Sequence, residues 1–134
     1  MSDASRYIAG AMLLSVVGIE FGGYYLMRIV GGKEKLTEFQ QRFARAGHAH
    51  AGVLVTLGLV CLLYADAADL TGALGWGARL GVPVAALLIP GGFFFSSMGR
   101  GVITRPNRLV LLIGAGAVAL AAGVVSAGTG LLIG

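Results

Sequence analysis

Four long apolar segments, separated by short stretches that carry nearly all the charge, most constrain the fold of this chain of 134 residues. The segments run over about residues 7–30, 46–65, 77–98 and 108–132. Each is near the ~20 residues that a helix needs to cross the hydrocarbon core of a bilayer. Because 57% of the residues are hydrophobic and 12% are charged, a soluble domain of this size could not cover its apolar surface. The sequence therefore predicts an all-α integral membrane protein with four transmembrane helices.

The chain length predicts one domain over residues 1–134. Between the first two apolar segments lies the basic stretch "GGKEKLTEFQQRFARA", residues 31–46. At helical spacing its side chains Leu36, Phe39 and Phe43 share one face, with arginines nearby. We therefore predict a basic amphipathic cytoplasmic loop, which is either an interfacial helix or an extension of helix two.

The placement of the positive charges predicts the orientation in the membrane. Eight of the ten Lys and Arg residues flank the first and third breaks: Arg28, Lys33, Lys35, Arg42, Arg45, Arg100, Arg105 and Arg108. By the positive-inside rule, loops 31–46 and 99–107 face the cytoplasm and both termini lie outside. Tyr7, Tyr64 and Trp76 fall at the predicted outer ends, as expected of interfacial aromatic residues. A bacterial cytoplasmic membrane is the location that we expect.

Two similar strings indicate an internal repeat. "GGYYLMR" at 22–28 and "GGFFFSSMGR" at 91–100 each place a glycine pair, aromatic residues, a methionine and an arginine at the inner end of a helix. A basic loop and a returning helix follow each string. The pattern predicts two parallel-repeat hairpins, related by an axis along the membrane normal. The alternative is chance recurrence in a chain with 23 glycines.

Glu20 is the candidate for a functional titratable group. It lies near the middle of helix one, where a carboxylate costs several kcal/mol unless it is protonated, paired or wetted. Tyr24, one turn later, shares its face and could relay protons. Gly18 and Gly22 form a GxxxG pair on the other side, so we expect them to pack against a neighbouring helix and a cavity to open beside Glu20. The alternative is a protonated, purely structural glutamate.

Helix three contains "LLIPGGFFFSS", in which Pro90 is followed by Gly91 and Gly92. Proline removes a backbone donor and clashes with the preceding turn, so we expect a kinked or broken helix there. Broken helices line binding sites in transporters, whereas simple proline kinks are structural. If the helix is broken, we expect these three residues to line a transport path. If it is only kinked, we expect them to have a structural role.

Helix four carries a stripe of small residues on one face: Gly116, Gly123, Ala127 and Gly130. Small residues let helices approach closely in membranes. The stripe predicts tight packing, either within the subunit or between copies. Because four short helices enclose little space, we expect a homo-oligomer, or a place in a larger membrane complex.

His48 and His50 are the only histidines, and residues two apart on a helix point in nearly opposite directions. They cannot grip one metal together, and the chain lacks ligands to complete a tetrahedral zinc site. Three interpretations remain open. The histidines could lie at the inner mouth of a proton or ion path, or one could bind haem, with Met27, Met98 or another subunit as second ligand. They could also simply cap helix two near lipid headgroups.

Some function classes are excluded. Cys61 is the only cysteine, which rules out an intramolecular disulfide and a CxxC redox pair. The sequence has no basic stripe with interleaved aromatic residues, so nucleic acid is not an expected partner.

We predict passage or proton-coupled transport of a small solute or ion, with Glu20 as the buried titratable group. The alternatives are a haem-binding redox module or accessory subunit of a respiratory complex, and a scaffold in the bilayer. An enzyme is less favoured, and no cofactor is predicted apart from the haem alternative.

Overall fold

The computed structural model describes residues 1–99 and 101–133, which fold into four long helices without strands. Helix α1 spans Asp3–Val30, α2 Glu38–Ala67, α3 Gly72–Ser97 and α4 Leu111–Ile133, with a 3-10 turn over Arg108–Val110 before α4. All four are long and apolar enough to cross a membrane. The prediction of an all-α, four-helix chain is confirmed. Arg100 of the predicted inner loop lies outside the described residues, as does Gly134.

Helix α2 begins at Glu38, before the apolar segment predicted over 46–65. Thr37 accepts a hydrogen bond from the backbone N–H of Gln40, and the Gln40 side chain accepts one from the Thr37 backbone. This capping box satisfies two of the orphan donors at a helix start. Of the two predicted forms of the stretch 31–46, the extension of helix two is the one found, because residues 38–46 belong to α2.

The helices pack in chain order. Helices α2 and α3 form the central pair, α1 packs mainly on α2, and α4 mainly on α3. Among the described residues α1 and α4 do not touch, so the four helices form an open row. One end of the row holds Ser2, the α2–α3 turn and the last turns of α4, and we name it the terminal end. The α1–α2 and α3–α4 loops meet at the other, basic end, where the Thr37 hydroxyl donates to the Ile103 carbonyl.

The closest approach in the fold is between α3 and α4. A Cβ atom added to Gly123 would lie 2.8 Å from the backbone N of Val82 and 3.0 Å from the Cα of Gly81. One added to Gly116 would lie 3.1 Å from the backbone N of Ile89. The stripe on α4 is buried against α3 inside the chain. Of the two predicted uses of this stripe, packing within the subunit is the one found.

Helix α3 continues unbroken through Pro83 and Pro90, so of the predicted kink or break the break is not found. Pro90 is buried, and α3 is held by packing against both α2 and α4. Gly92 serves close packing, since a Cβ there would lie 2.9 Å from the backbone N of Ile113. Tertiary contacts on both sides stabilise the helix against the lost backbone hydrogen bond.

Candidate functional site

A cleft of about 690 Å³ separates α1 from α3, and α2 forms its back wall. Helices α1 and α3 are linked at the terminal end, where the Arg79 guanidinium donates to the Ser5 hydroxyl. One side of the cleft remains open. Its walls include Met12, Ser15, Gly18 and Gly22 of α1, His48, Ala51 and Val55 of α2, and Pro83, Leu87, Pro90, Gly91, Phe94 and Phe95 of α3.

His48 is the one ionisable side chain among the described residues that line the cleft. Its ring packs against a glycine pair of α1. A Cβ at Gly22 would lie 3.2 Å from Nδ1, and one at Gly23 would lie 3.3 Å from Cε1. These glycines give the half-buried imidazole room between α1 and α2. No hydrogen bond links it to another described residue, so its donor and acceptor capacity is unused within the described chain.

Pro90 and Gly91 lie on the α3 wall of the cleft, across from α1, and their role in a transport path stays a prediction. Because proline has no N–H, the carbonyl of Ala86 lacks its regular helical donor, and Ala86 is also on the wall. The wall residues other than His48 are apolar except Ser15. The Ser15 hydroxyl already donates to the Met12 carbonyl of its own helix at 2.6 Å. Gly92, the third predicted residue, faces α4 instead.

Glu20 and Tyr24 lie outside the cleft. Both are exposed, Tyr24 at 63%, on the side of α1 that faces away from the other helices. Among the described residues Glu20 has no ion pair and no hydrogen bond through its side chain. The expected arrangement is found in part: a depression of about 350 Å³ borders Glu20 and Gly22 contacts His48 of α2, but Gly18 is not packed on a helix. The large cleft opens on the glycine side, where Gly18 has no neighbour within 4 Å of an added Cβ.

His50 lies on another side of α2 and is exposed. Its Nδ1 donates to the Ala46 carbonyl at 2.7 Å, and its ring centroid is 5.1 Å from that of Phe93. Met27 and Met98, the proposed second haem ligands, are exposed and do not line the cleft. In residues 1–99 and 101–133 no group of three His, Cys, Asp or Glu side chains could hold a metal ion.

The main polar site of the fold is one that the sequence analysis misses. Asp66 and Arg79 form an ion pair at 2.8 Å at the terminal end, with both side chains 12% exposed. The fully buried Ser5 hydroxyl donates to Asp66 at 2.9 Å, and the Ser2 backbone N–H donates to it at 2.8 Å. Arg79 also donates to the carbonyls of Leu70 and Gly75. We name Ser2, Ser5, Asp66 and Arg79 the polar cluster.

The polar cluster fastens three helices together, since Ser2 and Ser5 come from the start of α1, Asp66 from α2 and Arg79 from α3. It has no unused polar group, because its side-chain atoms are hydrogen-bonded to one another. This arrangement suits a structural role. The signal in the sequence is that Arg79 is one of two cations placed away from the basic loops.

No family model, curated protein or solved structure matches the chain. The geometry is therefore the basis for a functional proposal. It offers an apolar cleft with one imidazole, a satisfied polar cluster at one end, and an unpartnered carboxylate on the opposite side of α1.

Proposed function

We propose that the four helices span a membrane and that the cleft binds one small, largely apolar molecule from the lipid phase. The observation that carries the proposal is an open, apolar cleft in which His48 is the one ionisable side chain among the described wall residues. Large apolar side chains exposed on the outer helix faces, such as Leu14 at 76% and Val118 at 71%, support membrane insertion.

The size and chemistry of the cleft fit such a ligand. Small-molecule sites generally enclose about 300–1,000 Å³, with apolar walls and a few polar groups that fix orientation. The cleft volume of about 690 Å³ is within that range. His48 supplies a hydrogen-bonding group on the wall. Ala86, whose carbonyl lacks its regular helical donor because of Pro90, is also a wall residue. A bare ion would lose its hydration there without a carboxylate to replace it.

The earlier alternatives differ in how they relate to this cleft. Haem is one apolar ligand that His48 could hold. Neither Met27 nor Met98 lines the cleft, so neither would supply a second ligand there. Transport that uses Glu20 stays a prediction, because it requires a further surface to cover that residue. A scaffold without a ligand is the outcome if the cleft binds nothing.

The ligand can be sought on the purified protein itself. We expect about one small molecule per chain to be retained in mild detergent and identified by native mass spectrometry after extraction. Gly18→Leu should eliminate it, because an added Cβ at 18 meets no atom within 4 Å and the leucine fills the cleft without unfolding the chain. His48→Leu should weaken retention by about tenfold, the effect of losing one buried hydrogen bond.

Matched controls exist for both variants. Gly52→Leu adds the same side chain at another position without neighbours, away from the cleft, and His50→Leu removes the histidine that lies elsewhere. Both should retain the molecule. An absorption spectrum distinguishes haem, which has a Soret band, from other ligands. Retention that is equal in Gly18→Leu and wild type, or a protein purified without any molecule, would contradict the proposal.

The positive charges at the basic end predict that this end faces the cytoplasm. In a Cys61→Ala background, we expect Lys35→Cys to react with an impermeant maleimide only after cells are permeabilised, because the basic end is cytoplasmic. Thr71→Cys, at the terminal end on an exposed residue without a capping hydrogen bond, should react in intact cells. The reverse pattern of labelling would contradict this orientation.

A further inference from the structure

Helix α1 has an exposed stripe on the side away from the cleft. It consists of residues that alternate by three and four positions: Gly10, Leu13, Val17, Glu20, Tyr24 and Met27. All six are exposed, Leu13 at 58% and Met27 at 73%. A repeat of 3.5 residues is the pattern of side chains at a helix–helix seam in a left-handed pair. We name these six residues the α1 seam.

Glu20 is the one charged member of the α1 seam. In a helix of 28 residues it lies near mid-length, and no side chain of the described chain pairs with it. Ionisable residues at that depth in membranes almost always face other protein or water. A partner that covers this side of α1 must therefore bring a hydrogen-bonding group to the depth of Glu20.

The surface beside Glu20 contains a depression bordered by four residues of α1. This depression, of about 350 Å³, is lined by Val17, Glu20, Phe21 and Tyr24. These positions are i, i+3, i+4 and i+7, the four corners of a hole in knobs-into-holes packing. In a parallel pair of identical helices, the knob that enters such a hole is the residue at its second corner. That residue is Glu20 of the other copy.

We propose that the α1 seam binds a second copy of this chain, in parallel, with Glu20 of each copy entering the depression of the other. The seam is self-complementary, since knob and hole have the same sequence and depth. One carboxyl group, when protonated, donates to the carboxylate of the other copy. Tyr24, which also carries a hydroxyl donor, lines the same depression. The site around Glu20 is complete only when the partner contributes its own Glu20.

The proposal concerns the side of α1 opposite the cleft and does not depend on ligand binding. It also explains why α1 has few buried residues within the chain, namely Ser5, Met12 and Ile29. The small residues of α4 are already buried within the chain, so they are not exposed for contact with a second copy. The homo-oligomer expected from the sequence is thus assigned to α1.

Oxidative cross-linking in native membranes tests the seam directly. In a Cys61→Ala background, Val17→Cys should form covalent dimers, because equivalent seam residues of a parallel pair lie within disulfide distance. Val118→Cys, at 71% exposure on α4, is the matched control and should remain monomeric. Equal cross-linking at both positions, or none at Val17, would overturn the proposal.

The role of Glu20 is tested by the dimer dissociation constant in detergent. Glu20→Ala should weaken the dimer by roughly 3- to 30-fold, the range expected for an interhelical hydrogen bond in a membrane. Glu20→Gln retains hydrogen bonding and should dimerise nearly as well as wild type. Glu38→Ala, which removes an exposed carboxylate paired with Arg42, is the control. A monomeric wild type, or a Glu20→Ala dimer of unchanged affinity, refutes the assignment, whereas ligand retention in the cleft is expected to remain unchanged throughout.

Discussion

Gly123→Leu is expected to abolish the folded protein, because the α3 backbone occupies the space that the new side chain needs. A Cβ atom at Gly123 would already lie 2.8 Å from the backbone N of Val82. The obstacle is main chain, which cannot rotate away as a side chain can. Even Gly123→Ala should cost about 1–3 kcal/mol through overpacking, and leucine should separate α4 from α3. Expression level and resistance to SDS unfolding are the measurements.

A matched variant isolates this effect from helix propensity. Gly114 lies on the exposed side of α4, and an added Cβ there meets nothing within 4 Å. Gly114→Leu should therefore leave stability unchanged or raise it, since leucine is the better helix former. If Gly114→Leu and Gly123→Leu unfold the protein equally, close packing at Gly123 is not the cause.

The contrast between the two glycines shows what the sequence can and cannot predict. Periodicity places Gly116, Gly123, Ala127 and Gly130 on one face and indicates close packing, and the structure has that packing. It does not specify which helix lies opposite. That depends on the order of helices in the row, which is decided by the sum of contacts along all four and not by any local pattern.

The same limit explains the error at helix one. The spacing correctly separates the Gly18 face from the Glu20 face, but the larger cavity opens on the Gly18 face and only a depression borders Glu20. A GxxxG pair is suited to close approach, whereas in this fold Gly18 borders open space and Gly22 accommodates the His48 ring. Small residues leave room, and only the tertiary structure determines whether a helix or a cleft uses it.

Local signals were more informative where the chain enters a helix. The string "TEFQ" at 37–40 has the Thr-x-x-Gln spacing of a capping box and marks the start of α2 at Glu38. The hydropathy pattern begins the second apolar segment at about residue 46, because five of residues 38–46 are polar or charged: Glu38, Gln40, Gln41, Arg42 and Arg45. The ion pair of Arg79 could not be predicted in this way. Its partner Asp66 lies on α2, on the other side of the α2–α3 turn, and no fixed sequence spacing relates two residues on different helices.

Arg79→Ala is expected to cost about 3–5 kcal/mol of stability, the usual effect of removing one partner of a buried ion pair. The loss leaves Asp66 facing the buried Ser5 hydroxyl without its counter-ion, and it removes the side-chain donor to the Leu70 carbonyl. SDS titration of the purified protein measures the change. The stability of Arg79→Lys should lie between those of the wild type and Arg79→Ala. The lysine keeps the positive charge, but its ammonium group lacks the planar fork that reaches several acceptors at once.

The control is the exposed pair at the other end of the molecule. Arg42 and Glu38 are also joined by an ion pair, but their side chains are 73% and 78% exposed. Arg42→Ala should therefore change stability by no more than about 0.5 kcal/mol. Equal effects of Arg42→Ala and Arg79→Ala would show that the polar cluster is no stronger than a surface contact.

A double-mutant cycle separates the ion pair from the rest of the polar cluster. Asp66→Asn alone leaves the Arg79 charge unpaired among buried groups, and Arg79→Ala alone leaves the Asp66 charge unpaired. The double variant has neither charge, so its cost should be smaller than the sum of the two single costs, by more than about 1 kcal/mol. Because the cluster also links α1 to α3 above the cleft, the single variants should loosen the cleft and reduce ligand retention. Additive costs with unchanged retention would mean that Asp66 and Arg79 stabilise their own helices separately and do not hold α1 in place.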